Sequence, residues 1–216
     1  MSIISAFIDL LFPPKCIFCA RVLHRAESSI CEKCVESLPY TDYGGKQPGD
    51  YFDYCVSALH YKDAVRKSLL RYKFRNAPSY ADAYGKMLAE CIIEQPDLKY
   101  DHISWVPLSS TRKRSRGYDQ AMLLAFATAL NLDTIAVETL KKTQDVQAQS
   151  DLSSIADRRT NISGAYEATD TELIEGKSIL LIDDIITTAS TLSECAKVLL
   201  DAGASSVICA TLARGE

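Results

Sequence analysis

The sequence lacks a hydrophobic run long enough to cross a membrane. Its two most apolar segments, 3–12 and 179–182, fall far short of the ~20 residues that a transmembrane helix needs. The first segment has no basic residue before it and contains Asp9, so it makes a poor signal peptide. We therefore expect a cytoplasmic protein without a membrane span, in a reducing compartment where cysteines bind metal more often than they form disulfides.

The sequence also lacks internal repeats, low-complexity tracts and a net positive charge. Its 216 residues include 24 Lys and Arg against 28 Asp and Glu, and 47% are hydrophobic. The net charge of −4 gives no sign of nucleic-acid binding through bulk charge, and the apolar content excludes a disordered or collagen-like chain. This length suits one ordinary domain with a small appendage.

Four of the eight cysteines form two Cys-x-x-Cys pairs near the start of the chain: Cys16, Cys19, Cys31 and Cys34. Two such pairs can place four sulfur ligands around one tetrahedral Zn²⁺. Four thiolates leave no open coordination position, so this zinc would be structural and would stabilise a segment too short to fold alone. The alternatives are four reduced structural cysteines or a redox pair. His24 is interpreted as a surface residue, and Cys55, Cys91, Cys195 and Cys209 as buried small hydrophobes.

A turn-rich stretch at 43–50 predicts a boundary between a zinc-ribbon-like domain at 1–44 and a second domain at 45–216. Within the first domain, 3–11 predicts a helix that ends before Pro13 and Pro14. Strand and helix patterns alternate in the second domain, which predicts an α/β fold with a sheet covered by helices. Strand 178–182, helix 191–200 and strand 206–212 make one βαβ unit, whose strands are parallel.

The most informative segment joins an apolar strand to a helix through two acids and a hydroxyl-rich turn. Asp183 and Asp184 follow strand 178–182, and Thr187, Thr188, Ser190 and Thr191 lie at the start of the helix. Ligands of open α/β sheets bind beyond the carboxyl ends of strands, and a helix N-terminus with hydroxyl donors suits a phosphate. Two adjacent carboxylates suit a ribose diol or a Mg²⁺ held through water. The alternative is an N-capping turn with solvated acids.

This segment resembles the signature of the type I phosphoribosyltransferases, in which an apolar strand, two acids and a loop ending Thr-Gly-x-Thr bind phosphoribosyl pyrophosphate (PRPP). The resemblance implies that Asp183 and Asp184 hold the ribose hydroxyls. It assigns the 5′-phosphate to the loop of Thr187, Thr188, Ala189, Ser190 and Thr191. Ala189 stands where the family usually has glycine, and it would be strained if the loop needs a positive φ. Thr187 stands where purine-using members often carry an acid, and threonine cannot act as a general base at neutral pH.

Motifs elsewhere extend the resemblance to the ComF (ComFC-like) competence proteins over nearly the whole chain. They are the two cysteine pairs, the Arg-Tyr-Lys-Phe-Arg segment at 71–75, Val106-Pro-Leu, Arg112 and the Arg-Gly-Tyr-Asp-Gln segment at 116–120. Tyr118-Asp119 replaces the family's Phe-Asn, and 143–164 matches only loosely. The resemblance implies a cytoplasmic accessory factor for DNA uptake in natural transformation. It carries a phosphoribosyltransferase domain, and its candidate partners are a DNA-uptake helicase or other competence proteins.

A first group of basic residues, Arg112, Lys113, Arg114 and Arg116, crowds into one predicted loop after strand 102–108. If that strand lies beside 178–182, Arg112 and Arg116 would hold the pyrophosphate group of PRPP, together with Mg²⁺. Asp183, Asp184 and Arg116 are then the catalytic candidates. The alternative is a solvated basic loop.

A second group of basic residues is a candidate surface for single-stranded DNA: Lys62, Arg66, Arg71, Lys73 and Arg75. The alternative is the solvated face of an amphipathic helix. Residues 141–165 predict a flap, from which Gln144, Gln149, Arg158 and Asn161 would approach a ligand. Three functions remain open: a PRPP-binding accessory factor, an active phosphoribosyltransferase with an unknown small acceptor, and a zinc-containing adaptor with an inactive transferase scaffold.

Overall fold

The computed structural model describes residues 13–23, 29–143 and 164–215. The predicted helix at 3–11, His24, and the flap candidates Gln144, Gln149, Arg158 and Asn161 lie outside these residues. The helices are α1 (Glu32–Ser37), α2 (Asp63–Phe74), α3 (Tyr80–Ile93), α4 (Ser110–Arg116), α5 (Gln120–Asn131) and α6 (Ser190–Asp201). The strands are β1 (Cys55–His60), β2 (His102–Trp105), β3 (Leu140–Lys142), β4 (Tyr166–Ala168), β5 (Ser178–Ile186) and β6 (Ser206–Arg214). A short 3₁₀ helix, Asp42–Gly44, precedes β1.

A parallel sheet with the strand order β1-β6-β5-β2 forms the centre of the described fold. The residues Leu180, Leu181 and Ile182 are fully buried, as expected for a parallel strand covered on both faces. Helices α2, α3 and α5 pack on one face with Leu180 and Ile182, and α6 packs on the other with Ile179 and Leu181. This confirms the predicted α/β fold.

Two predicted element boundaries are wrong near the acid pair. Strand β5 continues through Ile186, because β6 extends to Arg214 and keeps pairing with it, so Asp183 and Asp184 lie inside the strand rather than directly after it. The predicted basic loop is the short helix α4. It begins after Ser109, whose hydroxyl accepts a hydrogen bond from the backbone N–H of Arg112, and ends at Gly117 with φ +84°.

The cysteine-rich segment packs directly against α2 of the main core. Cys16, Ile17 and Phe18 are buried in the same cluster as the helices on that face. The Arg71 guanidinium donates to the carbonyl oxygens of Ile17 and Phe18 at 2.6 and 2.8 Å, and the Ser68 hydroxyl also donates to Ile17. The zinc segment and the sheet domain therefore share one hydrophobic core across the predicted boundary.

The remaining cysteines outside the two pairs, Cys55, Cys91, Cys195 and Cys209, are all buried, as predicted.

Strands β3 and β4 pair antiparallel at the two ends of the predicted flap, and the backbone N–H of Gly164 donates to the Glu194 carboxylate on α6 at 2.7 Å. Among the described helices, none combines the length and the apolar character that crossing a bilayer requires.

Candidate functional site

The four paired cysteines form one compact sulfur cluster. The sulfurs of Cys16, Cys19, Cys31 and Cys34 all lie within 4.8 Å of one another, and those of Cys19 and Cys31 are 3.7 Å apart. Tetrahedral Zn²⁺ with Zn–S bonds of about 2.3 Å places its sulfurs about 3.8 Å apart. An antiparallel bridge between Lys15 and Val22 closes the first cysteine turn, and Cys31 and Cys34 lie at the start of α1. The residues present therefore fit a structural zinc ion.

The surroundings of the sulfur cluster shift the pKa values of its thiols in opposite directions. Burial alone would raise the pKa of Cys16, but the backbone donors around it, foremost the N–H of Cys31, lower that pKa to about 7. The Cys31 nitrogen lies 3.5 Å from the Cys16 sulfur. Burial and the neighbouring sulfurs raise the pKa of Cys34 instead. Crowded sulfurs cannot all ionise alone, so a divalent cation is needed to displace the remaining protons.

The acid pair lies at the carboxyl end of β5, but its two side chains occupy opposite faces of the sheet. Consecutive strand residues point in opposite directions. Asp184 lies on the α2 face, where its Oδ1 is 2.9 Å from the Nζ of Lys73. Asp183 lies on the α6 face: after burial itself, its charge is the main cause that raises the pKa of Cys195. The structure therefore does not place the two carboxylates side by side, as one vicinal diol would require.

The two carboxylates differ in their surroundings. The side chain of Asp184 is 4% exposed and that of Lys73 is 19% exposed, so this ion pair is largely shielded from water. Asp183 accepts a hydrogen bond from the backbone N–H of Asp184 at 2.8 Å. Burial, followed by the charge of Asp184, raises the pKa of Asp183. For Lys73, burial lowers the pKa, but the two carboxylates outweigh it and the net shift is upward.

The acid pair does not fit a Mg²⁺ ion held by the protein. Mg²⁺ needs octahedral oxygen ligands and keeps several waters. One oxygen of Asp184 is bound to the Lys73 ammonium, and the other is buried without a hydrogen-bond partner among the described residues. Asp183 lies on the other face of the strand, so the pair cannot close around one ion. The expected magnesium site therefore does not follow from these carboxylates.

Beside the ion pair is a cavity of about 570 Å³ with a strongly cationic wall. Its lining residues come from the end of α2 and from α4: Lys73, Phe74, Asn76, Arg112, Ser115 and Arg116. Arg112 and Arg116 are one helical turn apart and share this wall, whereas Lys113 and Arg114 are exposed. The Arg116 guanidinium lies 4.9 Å from the centre of the Phe74 ring, and its Nη1 is buried without a partner among the described residues. This cavity suits an anion with several oxygens.

Asp119 caps α5 and anchors the segment that precedes it. It caps α5 by accepting from the backbone N–H of Met122 at 3.2 Å, and it accepts from the N–H of Leu108 at 2.8 Å. Asp and Asn cap helices about equally well, and the second bond ties together the two ends of the α4 segment. Tyr118 is buried, and its hydroxyl donates to the carbonyl of Tyr72 on α2. Both residues thus position the walls of the cationic cavity.

The loop between β5 and α6 lines a second cavity, of about 370 Å³. Thr187, Thr188, Ala189 and Ser193 form one wall, and residues 47–50 form the other. Ser190 and Thr191 begin α6, and the hydroxyls of Thr188 and Ser190 are 3.1 Å apart. Hydroxyl donors at a helix N-terminus suit a phosphate. The sequence does not predict that residues 47–50 line a cavity, because a turn-rich stretch by itself indicates only a domain boundary.

Ala189 adopts the conformation that glycine would adopt more easily, with φ +58° and ψ −5°. We expect Ala189→Gly to raise the free energy of unfolding by about 1 kcal/mol, because left-handed backbone costs alanine roughly 1–2 kcal/mol. Urea unfolding measures the change. Ala202→Gly, at the other end of α6 with φ −85°, is the control, and it should lower stability by roughly 0.5–1 kcal/mol. Equal losses in both variants would contradict a strained Ala189.

The candidate DNA surface is divided by the fold. Arg71 is bonded to the zinc segment and Lys73 to Asp184, so neither side chain is available on an open face. Lys62, Arg66 and Arg75 are exposed. Lys73 is the site residue whose role the sequence did not reveal: its place in a run of basic residues favoured a surface function. Only the packing of the end of α2 against the carboxyl end of β5 brings it to the acid pair.

Comparisons with known proteins match both parts of the chain. Residues 121–216 match the model of the phosphoribosyl transferase domain, and residues 7–48 match that of the double zinc ribbon domain. Cys16, Cys19, Cys31 and Cys34 are the cysteines of the second region, enough for one tetrahedral zinc. Competence protein F of Haemophilus influenzae is 29% identical over 93% of this chain and 96% of its own length. Competence protein ComFC of Bacillus subtilis is 30% identical over 73% of this chain, which spans 63% of that protein. DNA utilization protein YhgH of Salmonella typhimurium is 29% identical over 91% of this chain and 90% of its own length.

Proposed function

We propose that this chain binds PRPP or a similar phosphorylated ribose and serves as a cytoplasmic accessory factor for DNA uptake. It is a homologue of competence proteins F and ComFC and joins a phosphoribosyl transferase domain to an N-terminal zinc ribbon. The observation that carries the ligand is the cationic cavity of about 570 Å³ at the carboxyl ends of β2 and β5. Ligands of parallel sheets bind at that edge.

Each part of the proposed ligand has a matching group of side chains. Lys73, Arg112 and Arg116 would hold the pyrophosphate, whose oxygens suit the planar forks of two arginines. The hydroxyls of Thr187 and Thr188, with the free N–H groups at the start of α6, would hold the 5′-phosphate. Asp183, partly exposed at the end of β5, is the carboxylate that remains for a ribose hydroxyl.

Removing the two arginines of the cavity is expected to weaken PRPP binding at least tenfold, since a hydrogen bond to a charged group contributes roughly 1.5–3 kcal/mol. Methionine keeps most of the packing on Phe74, so the variant is Arg112→Met/Arg116→Met, measured by isothermal titration calorimetry with PRPP. Arg114→Met is the matched control, because Arg114 lies exposed on the same helix. Wild-type protein that binds no PRPP, or equal affinity in all three proteins, would reject the proposed site.

The role in DNA uptake is carried over from the names of the relatives, which include a DNA utilization protein. A contact with single-stranded DNA would use the basic side chains that remain exposed, Lys62, Arg66 and Arg75. A DNA-uptake helicase or other competence proteins are the partners that such a role requires.

The second candidate function is transfer of ribose 5-phosphate from PRPP to an unknown small acceptor, with release of pyrophosphate. The partly exposed Asp183 and the arginine cavity favour it, because cationic side chains would stabilise the charge of the departing pyrophosphate. Acceptor-dependent release of pyrophosphate, lost in Asp183→Asn, distinguishes this function from ligand binding alone.

A further inference from the structure

Lys73 contacts the acid pair and also lines the cationic cavity. Its ammonium is 2.9 Å from Oδ1 of Asp184, and its side chain also lines the cationic cavity. One side chain therefore reaches both the carboxylate at the end of β5 and the space assigned to the diphosphate. The carboxylate is shielded from solvent, so the pair is a fixed part of the site.

The charges around the cavity are already those that a diphosphate requires. Lys73, Arg112 and Arg116 contribute three positive charges to its lining, and Asp184 contributes one negative charge beneath them. The remaining positive charge offsets a large part of the charge of a diphosphate without any added ion. Arginine and lysine act in a partly buried site, where such interactions are stronger than in bulk water.

A magnesium ion at the same place would be opposed by this arrangement. It would have to displace the Lys73 ammonium from Asp184 or remain close to it, and two positive charges a few ångströms apart repel each other strongly in a shielded site. Asp184 has a second oxygen that is buried and without a hydrogen-bond partner among the described residues, so it offers no solvent-facing ligand to a hydrated ion.

We propose that Lys73 is the resident cation of this site: it holds Asp184 in place, contacts the diphosphate of the ligand directly, and makes binding independent of Mg²⁺. This inference rests on the proposed binding of a diphosphorylated sugar and specifies how that site neutralises its ligand. Lys73 is accordingly a binding residue rather than a part of the DNA surface.

Titration calorimetry with PRPP, in buffer cleared of divalent ions by a resin and then with millimolar Mg²⁺, tests the inference. EDTA is avoided because a chelator would remove the structural zinc. We expect the affinity of the wild-type protein to change less than about threefold between the two buffers. We expect Lys73→Met to lose at least tenfold in affinity without Mg²⁺, and Lys73→Arg, which keeps the charge, to lose less.

Lys67→Met is the control, because Lys67 lies exposed on the same helix and should bind like the wild type. Zinc content and circular dichroism establish that each variant is folded, and the wild-type comparison remains decisive if Lys73→Met does not fold. Binding of PRPP only in the presence of Mg²⁺ would overturn the role of Lys73 and leave the proposed function standing. Absence of binding in both buffers would reject the proposed function, and this inference with it.

Discussion

Replacing Cys16 with serine is expected to remove the zinc ion and to lower the free energy of unfolding by roughly 5 kcal/mol or more, because structural zinc contributes its binding energy to folding. Cys16 is fully buried, and the adjacent Ile17 and Phe18 enter the core of the main domain. Loss of the metal should therefore reach the donors on α2, Ser68 and Arg71, which bond to Ile17. Zinc per chain and urea unfolding measure the two effects.

Cys91→Ser separates the loss of a zinc ligand from the loss of a buried thiol. Cys91 is buried at 6% exposure outside the sulfur cluster, and burial raises its pKa to about 12, so it is a neutral thiol at physiological pH. This variant should keep one zinc per chain and lose only about 1–2 kcal/mol. A Cys16→Ser protein that still carries stoichiometric zinc would show that the cluster is not the metal site.

Breaking the ion pair between Lys73 and Asp184 is expected to have the second large effect. Lys73→Met leaves a buried carboxylate without its cation, and such a change costs about 3–5 kcal/mol. The double variant Lys73→Met/Asp184→Asn removes both charges, so it should be more stable than the sum of the single changes by about 2 kcal/mol or more. Urea unfolding of the zinc-loaded proteins gives the four free energies of this cycle.

The exposed pair of Lys86 and Glu90 on α3 provides the matched cycle. Its charged atoms are 4.0 Å apart, and the two side chains are 70% and 61% exposed. Solvent screens such a pair, so the coupling between Lys86→Met and Glu90→Gln should stay below about 0.5 kcal/mol. Equal coupling energies in the two cycles would show that burial does not strengthen the ion pair between Lys73 and Asp184.

Local patterns were sufficient to predict most of the secondary structure. The unit of β5, α6 and β6 follows from two apolar runs with a helical pattern between them, as predicted for 178–182, 191–200 and 206–212. The predicted end of β5, at Ile182, is too early, because Asp183 and Asp184 are polar and polar residues usually end a buried strand. Pairing with β6 satisfies the backbone of this segment, and the Lys73 ammonium compensates the charge of the buried Asp184, so the strand continues.

The site residues also divide into those that local sequence predicts and those that only the packing of distant segments reveals. Cys16, Cys19, Cys31 and Cys34 were identified by spacing, because each metal ligand is only three residues from its partner in a pair and local turns bring them together. The sequence predicts strain at Ala189 only if the loop needs a positive φ, and the structure supplies that angle, +58°. Local patterns could not place Lys73 and residues 47–50 at the candidate site, because they are more than 100 residues away in the chain from the strand and loop that they face.

The amino-acid order alone therefore specifies the zinc cluster, the alternating α/β pattern and the loop that begins α6. All of these depend on contacts between residues close in the chain. The packing of α2 and α4 at the carboxyl ends of the strands determined the rest. It set the partner of each acid, the division of the basic residues into internal and exposed groups, and the shape of the cationic cavity. Such contacts join distant segments, and the burial that turns a surface lysine into a fixed counter-ion leaves no mark in the local sequence.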